Sequence, residues 1–333
     1  MLLQTKRRLA QWYSCLVWPF RSRATPRSSR TTQGVPGDSS LIHPAQAWYN
    51  NGLDLYSAGR YGEAVEAYEH ALFLEPSFPE GWNNMGGALA ILEHHDAALD
   101  AYDHALHLRP QFPEAWFNKG SSLARLGKHQ DAVDAYQAAL RFERHSPVVW
   151  FELGNSLREL GRHEEGEKAY RHAVDLRPDY PEAWSNLGGL LGLLGKFEES
   201  LEAFEQALRR KSNDARAWSN KGAALANLGK VERALEAYRQ ALKLEPDHPE
   251  TWFNMANMLR DRGQYGEALE AYERVLELKP YYAAAWNNKG TILELLGRPQ
   301  EATQCYEEAL RLQPGMPEAL LNRTNILPQR KGR

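Results

Sequence analysis

Residues 215–248 read ARAWSNKGAALANLGKVERALEAYRQALKLEPDH, a stretch that holds two helices and the signals that stop them. Trp218, Gly222, Leu225 and Leu228 form an apolar face at helical spacing until Gly229 ends the run. A second run carries Ala234, Leu235, Tyr238, Ala241 and Leu242, with Pro246 ending it and Pro249 opening the next one. Small Gly222 and Ala234 let the two helices approach, and large Trp218 and Tyr238 fill the space around that contact. A single hairpin of this kind leaves an apolar face bare, so copies must stack.

Copies exist in both directions from this stretch. Trp48, Trp82, Trp116, Trp150, Trp184, Trp218, Trp252 and Trp286 fall 34 residues apart without an insertion. The same frame superposes Gly52, Gly86, Gly120, Gly154, Gly188, Gly222 and Gly290, with Ala256 in the seventh copy. It also superposes Tyr68, Tyr102, Tyr136, Tyr170, Phe204, Tyr238, Tyr272 and Tyr306. This pattern resembles the tetratricopeptide repeat family, with Trp, then Leu-Gly, then Ala, an aromatic, Ala and Pro at fixed offsets. The resemblance covers residues 45–316. It implies an all-α, right-handed α-solenoid (superhelix) of eight helix-turn-helix repeats, at 45–78, 79–112, 113–146, 147–180, 181–214, 215–248, 249–282 and 283–316. Residues 317–333 restart the first-helix pattern, with Leu320 in place of Trp, and read as a capping helix with a basic tail. Arg144 and Ser212 replace the stopping proline, and Ala215 and Ala283 the opening one, so helices are expected to run on or bend at those junctions.

The resemblance also implies where ligands go. First helices of the family line a concave groove, and the side chain two residues after the tryptophan points into it. Here that row holds Asn50, Asn84, Asn118, Glu152, Asn186, Asn220, Asn254 and Asn288. An amide offers donors and acceptors together, so a row of them can satisfy the backbone of an extended peptide whatever its side chains are. The row resembles the asparagine ladder in the repeat region of O-linked N-acetylglucosamine transferases, with Glu152 as a break. The other reading of these amides is a bridge between neighbouring helices. One residue earlier stand Tyr49, Phe117, Phe151 and Phe253, read either as groove anchors for apolar ligand side chains or as packing against the next repeat. Gly188, Gly189, Gly192 and Gly195 crowd one helix of repeat five, and Gly189 and Gly192 are expected to widen the groove. A lysine and asparagine clamp for a partner's carboxylate is not matched, because Lys119, Lys221 and Lys289 sit one place after the row.

Composition narrows the classes of function. The net charge of −3 combines about +6 in residues 1–43 with about −9 elsewhere, and a body of that sign repels a phosphate backbone, so no nucleic-acid partner is expected. Cys15 and Cys305 lack any ligand spacing, so neither a disulfide nor a metal site is expected. There is no GxSxG, no HExxH and no nucleotide-binding loop, so no catalytic residues and no cofactors are expected. His70, His104 and His172 recur at one second-helix position and read as a solvated stripe rather than metal ligands. The segment 1–44 is a basic arm in which Leu9, Trp12, Tyr13, Leu16 and Phe20 follow helical spacing behind Lys6, Arg7 and Arg8. Three readings stand side by side: an interfacial helix on a membrane surface through residues 1–20, an organelle transit peptide, and a bland basic tail. The expected localisation is accordingly cytoplasmic, peripheral at a membrane, or organellar. The expected function is a non-enzymatic scaffold or adaptor that binds an extended segment of another protein in its groove. The alternatives are a structural or self-associating spacer, a regulatory subunit of a separate enzyme, and an assembly factor. The sequence assigns neither the partner nor the oligomeric state.

Overall fold

The computed structural model describes residues 43–326, so the basic arm and the basic tail lie outside the described residues. The chain divides into two compact units, the first ending at Pro178 and the second starting at Asp179. Among the described residues all regular structure is helical.

The first unit pairs α1 (Pro44–Ser57) with α2 (Tyr61–Leu74), α3 (Pro79–Ile91) with α4 (His95–Leu108), α5 (Pro113–Arg125) with α6 (His129–Phe142), and α7 (Pro147–Glu159) with α8 (His163–Leu176). The second pairs α9 (Pro181–Leu193) with α10 (Phe197–Arg210), α11 (Ala215–Asn227) with α12 (Val231–Leu244), α13 (Pro249–Asp261) with α14 (Tyr265–Leu278), and α15 (Ala283–Leu295) with α16 (Pro299–Leu312). The capping helix α17 (Pro317–Ile326) packs on α16. Within each unit every helix packs on the next, and first helices of successive repeats also touch one another. Second helices of successive repeats pack less closely, so each unit curves with its first helices on the inner side.

The second-helix tyrosine is the core of each hairpin, and it explains the glycine frame. A Cβ on Gly86 would stand 2.6 Å from Tyr102 Cε1, and one on Gly222 would stand 2.6 Å from Tyr238 Cε1. The glycine therefore makes room for a ring rather than for the partner backbone, which corrects the sequence-based account of close helix approach. Tyr68, Tyr102, Tyr136, Tyr170, Tyr272 and Tyr306 are the largest fully buried side chains, whereas the tryptophans are only partly buried.

The tryptophans do a different job. The Trp82 indole N–H donates to the carbonyl of Pro76 at 2.9 Å, and Trp116, Trp252 and Trp286 reach Pro110, Pro246 and Pro280 in the same way. Each bond ties the first turn of a helix to the loop that precedes it. Trp150 finds Arg144 and Trp218 finds Ser212, both at 2.9 Å, because the acceptor is a backbone carbonyl and the side chain is indifferent. The expected run-on is absent: α6 stops at Phe142 and α10 at Arg210. Where Ala215 replaces the opening proline, the Asp214 carboxylate accepts from the Ala217 N–H at 3.0 Å and starts α11 as an N-cap.

The turn inside each hairpin needs a residue with positive φ. Glycine supplies it at Gly127 (φ 73°) and Gly229 (φ 69°), and Glu93 (φ 65°) is the non-glycine exception.

Candidate functional site

The inner face of each unit is built by the first helices, and the row of amides lies on it. In the first unit these amides are engaged by their neighbours. Asn84 Nδ2 donates to the Tyr49 hydroxyl at 2.8 Å, Asn118 Nδ2 to Asn83 Oδ1 at 3.0 Å, and Asn83 Nδ2 to Asn84 Oδ1 at 3.3 Å. Asn83 and Asn84 are both buried. Asn50 at the open end accepts from Gln46 Nε2 at 2.9 Å. Here the amides bridge adjacent helices, each reaching the residue just before the row in the preceding repeat.

Glu152 breaks the row chemically as well. Burial pushes its carboxyl above the usual carboxylate range, against the pull of a hydrogen bond from Asn155 Nδ2 at 3.1 Å and of the Arg125 guanidinium. Asn155 Oδ1 in turn accepts from the Tyr170 hydroxyl at 2.7 Å. Tyr136 is raised as well, by burial first and then by the Glu152 charge. The result is a polar cluster on repeats three and four whose members face one another.

In the second unit the row is only partly engaged. Asn288 Nδ2 donates to Asn257 Oδ1 at 3.0 Å, Asn257 also accepts from the Tyr272 hydroxyl at 2.6 Å, and Asn287 Nδ2 donates to Asn288 Oδ1 at 3.2 Å. The cap continues the row, since Asn322 Nδ2 donates to Asn287 Oδ1 at 3.1 Å. The amides of Asn220 and Asn254 make no side-chain hydrogen bond; Asn220 is exposed and Asn254 half-buried. Asn186 is half-buried and has a partner. The reason Asn254 stays free lies one repeat back, where Ser219 stands in place of Asn83 or Tyr49. Its short hydroxyl is taken by Thr251 Oγ1 at 2.7 Å.

The aromatics before the row pack on neighbouring rings, with Tyr49, Phe151 and Phe253 half-buried. Phe117 is fully buried with its centroid 5.9 Å from Tyr136, and Phe151 lies 5.9 Å from Tyr170. Tyr49 packs 4.6 Å from Phe78, and Phe253 stacks 4.8 Å from Tyr282. One residue past the tryptophan, the helix turns the ring inward onto its own hairpin's tyrosine. Gly192 faces Ser200 Oγ at 3.5 Å across the hairpin instead of widening the inner face, while nothing lies within 4 Å of a Cβ built on Gly189.

Lys119 pairs with Asp103 at 2.5 Å, Lys221 with Glu205 at 3.4 Å and Lys289 with Glu273 at 3.0 Å, so these ammoniums serve ion pairs between repeats. The recurrent histidines, read from sequence as a solvated stripe, lie against tryptophans: His70 stacks on Trp48 at 4.5 Å and His104 on Trp82 at 4.4 Å, and His172 lies tilted to Trp150 at 4.5 Å. Among the described residues no group of His, Cys, Asp or Glu is arranged to hold a metal. No helix among them is long and apolar enough to cross a membrane.

Sequence reasoning missed which amides are free. The signal was present at a spacing of 35, where an acceptor as long as Asn83 or Tyr49 engages Asn118 or Asn84 and a serine does not.

Known proteins bear on this geometry. No curated protein matches the chain. The fold of YrrB, described as a tetratricopeptide protein with an unusual peptide-binding site, aligns at a TM-score of 0.51 and 22% identity, covering 58% of this chain and 99% of that one. PilF of Pseudomonas aeruginosa aligns at 0.55 and 19% identity, over 71% of this chain and 99% of that one. The Cut9-Hcn1 hetero-tetramer of the APC/C aligns at 0.55 and 17% identity over 85% of this chain and 55% of that one. These identities support the fold alone. Residues 78–280, more than half of the chain, match the family model of the C-terminal domain of cilia and flagella-associated protein 70, and residues 52–92 and 249–314 match models of the tetratricopeptide repeat itself. With a 34-residue period whose glycine, tyrosine and tryptophan each have a structural task, the chain belongs to the tetratricopeptide repeat family.

Proposed function

We propose that this chain is a non-enzymatic protein-interaction scaffold that holds an extended segment of a partner along the inner face of its second unit. The observation that carries the reading is the pair of unengaged amides, Asn220 and Asn254, on successive first helices. Each can give one donor and one acceptor to a peptide backbone, so recognition is of chain direction and extension more than of side chains. Beside them Gly189 and Ala223 occupy the position that Asn257 holds further on, and the space over Gly189 is open to a ligand backbone. YrrB, a tetratricopeptide protein with an unusual peptide-binding site, shares this fold, which is consistent with such a use of the repeat. The first unit is the poorer candidate, since its amides already bridge helices.

Selection of a random peptide library on the full chain supplies ligands for the test. Peptides that bind the wild type should lose about 5- to 150-fold in affinity for the Asn220→Ala/Asn254→Ala double variant, the equivalent of two neutral hydrogen bonds. Methylation of the peptide's backbone nitrogens should weaken binding comparably. Affinity unchanged by both manipulations would remove the amides from the binding site.

A further inference from the structure

Seven of the eight repeat tryptophans carry a partner from this chain on the indole. Histidines cover Trp48, Trp82 and Trp150. Lys119 lies 5.5 Å from the ring centroid of Trp116, Lys221 5.1 Å from that of Trp218, and Lys289 5.8 Å from that of Trp286. The Arg210 guanidinium lies 5.7 Å from Trp184. Trp252 has no ring stacked on it and no cation over it among the described residues.

Three positions supply these partners, and repeat seven has a cation or histidine over the indole from none of them; Leu278 stands where repeat five has Arg210. Three residues after the tryptophan, where three other repeats have lysine, stands Met255. Twenty-two residues after it, where three repeats have the histidine, stands Arg274. Arg274 does not lie over the indole but is paired with Glu277 at 2.7 Å and Asp247 at 3.2 Å. Beside both the indole and Arg274 is a cavity of about 360 Å³ between α12, α13 and α14. Its apolar wall is Trp252, Met255, Leu259 and Ala271. At its rim Arg239 pairs with Glu267 at 3.7 Å, and the Glu270 carboxylate has no partner. Two guanidiniums, Arg239 and Arg274, and two carboxylates, Glu267 and Glu270, line the cavity; both guanidiniums are held in ion pairs, so Glu270 is the lining charge left without a counter-ion.

The one break in the glycine frame lies next to this wall. Ala256 stands where the other repeats have glycine, and in this hairpin the Tyr272 ring lies 67° to Phe253, against 42° for Tyr136 and Phe117. Met255 and Ala271, the residues just before these two, both line the cavity.

We infer that the cavity beside Trp252 is a socket for a lysine or arginine side chain of a partner protein, separate from the inner face. A cation placed there completes the arrangement that Trp116, Trp184, Trp218 and Trp286 make internally, with the aliphatic stem against Met255 and Leu259, the charged head over the indole, and Glu270 as counter-ion. A cation at the face of tryptophan is favoured over one at any other ring, and more so where water is excluded.

The test follows the Trp252 indole N–H by NMR in the full chain, with its signal assigned through Trp252→Phe. The probe is the peptide acetyl-Gly-Ser-Arg-Ser-Gly-amide, compared with the same peptide carrying uncharged citrulline in place of arginine. A saturable shift at Trp252 is expected with the arginine peptide, at least about tenfold weaker with the citrulline peptide, the difference of one charged contact. Glu270→Gln should weaken it several-fold. Met255→Lys supplies the chain's own ammonium, as Lys119, Lys221 and Lys289 do in folded repeats, and should abolish it while leaving the other indole signals in place. Equal response to citrulline, persistence in Met255→Lys, or an unmoved Trp252 signal with the arginine peptide at about 10 mM, a concentration that fills even a millimolar site, would each overturn the inference.

Discussion

Repeats two and three differ from repeats six and seven in what the same asparagine does. Asn84 and Asn118 are tied to the first helix of the preceding repeat, whereas the amides of Asn220 and Asn254 make no side-chain hydrogen bond. The residue type at the position is identical, so its role is set elsewhere, by whether the preceding repeat offers an acceptor long enough to be reached. A column of identical asparagines thus holds two populations, one bonded to the preceding repeat and one without a side-chain partner.

The contrast makes three quantitative demands. Asn118→Ala leaves the buried Asn83 carbonyl without its donor and should cost about 1–3 kcal/mol in chemical denaturation, while Asn254→Ala should stay within about 0.5 kcal/mol of wild type. Equal costs at the two sites would erase the distinction. A smaller effect separates the tyrosines. Tyr170→Phe removes the hydroxyl that bonds Asn155 at 2.7 Å and should cost about 1 kcal/mol, whereas Tyr238, whose hydroxyl has no such acceptor and is pushed up to about 12 by burial, should tolerate phenylalanine at close to no cost. Hydrogen exchange in the hairpin concerned reads both. The least effect is a slope in pH. The Glu152 carboxyl is raised above its ordinary value of 4.5 when folded, so the folded state binds its proton more tightly than the unfolded chain does. Its contribution is therefore full below that value and is lost as pH rises through the raised one. Glu152→Gln should remove that decline, and a denaturation series across acidic pH with an unchanged slope would refute the assignment.

Much of the fold was legible because one period governs it. The tryptophan, glycine and tyrosine frames each answer to a contact that recurs in every hairpin, and even the departures at Arg144 and Ser212 are harmless for a reason written in the backbone. The site was less legible because its determinants are pairs. Whether Asn254 is free depends on Ser219 and Thr251. Whether Phe117 is an anchor or core depends on Tyr136, against which it is fully buried. The bare face of Trp252 shows only when the three supplying positions are considered jointly, since Trp184 lacks the first two and is covered from the third by Arg210, whereas repeat seven has Leu278 there.

The indole bond that Trp82, Trp116, Trp150, Trp218, Trp252 and Trp286 make to the carbonyl six residues before them has an evolutionary corollary. It fixes the rotational phase of each such helix against the loop that delivers it. One added residue would swing the following helix by about 100°, the angle per residue at 3.6 residues per turn, and take its apolar stripe off the stack. Such a gene can lengthen or shorten its product only in whole periods, so duplication and loss of complete repeats, with point substitution inside them, are its open routes of change.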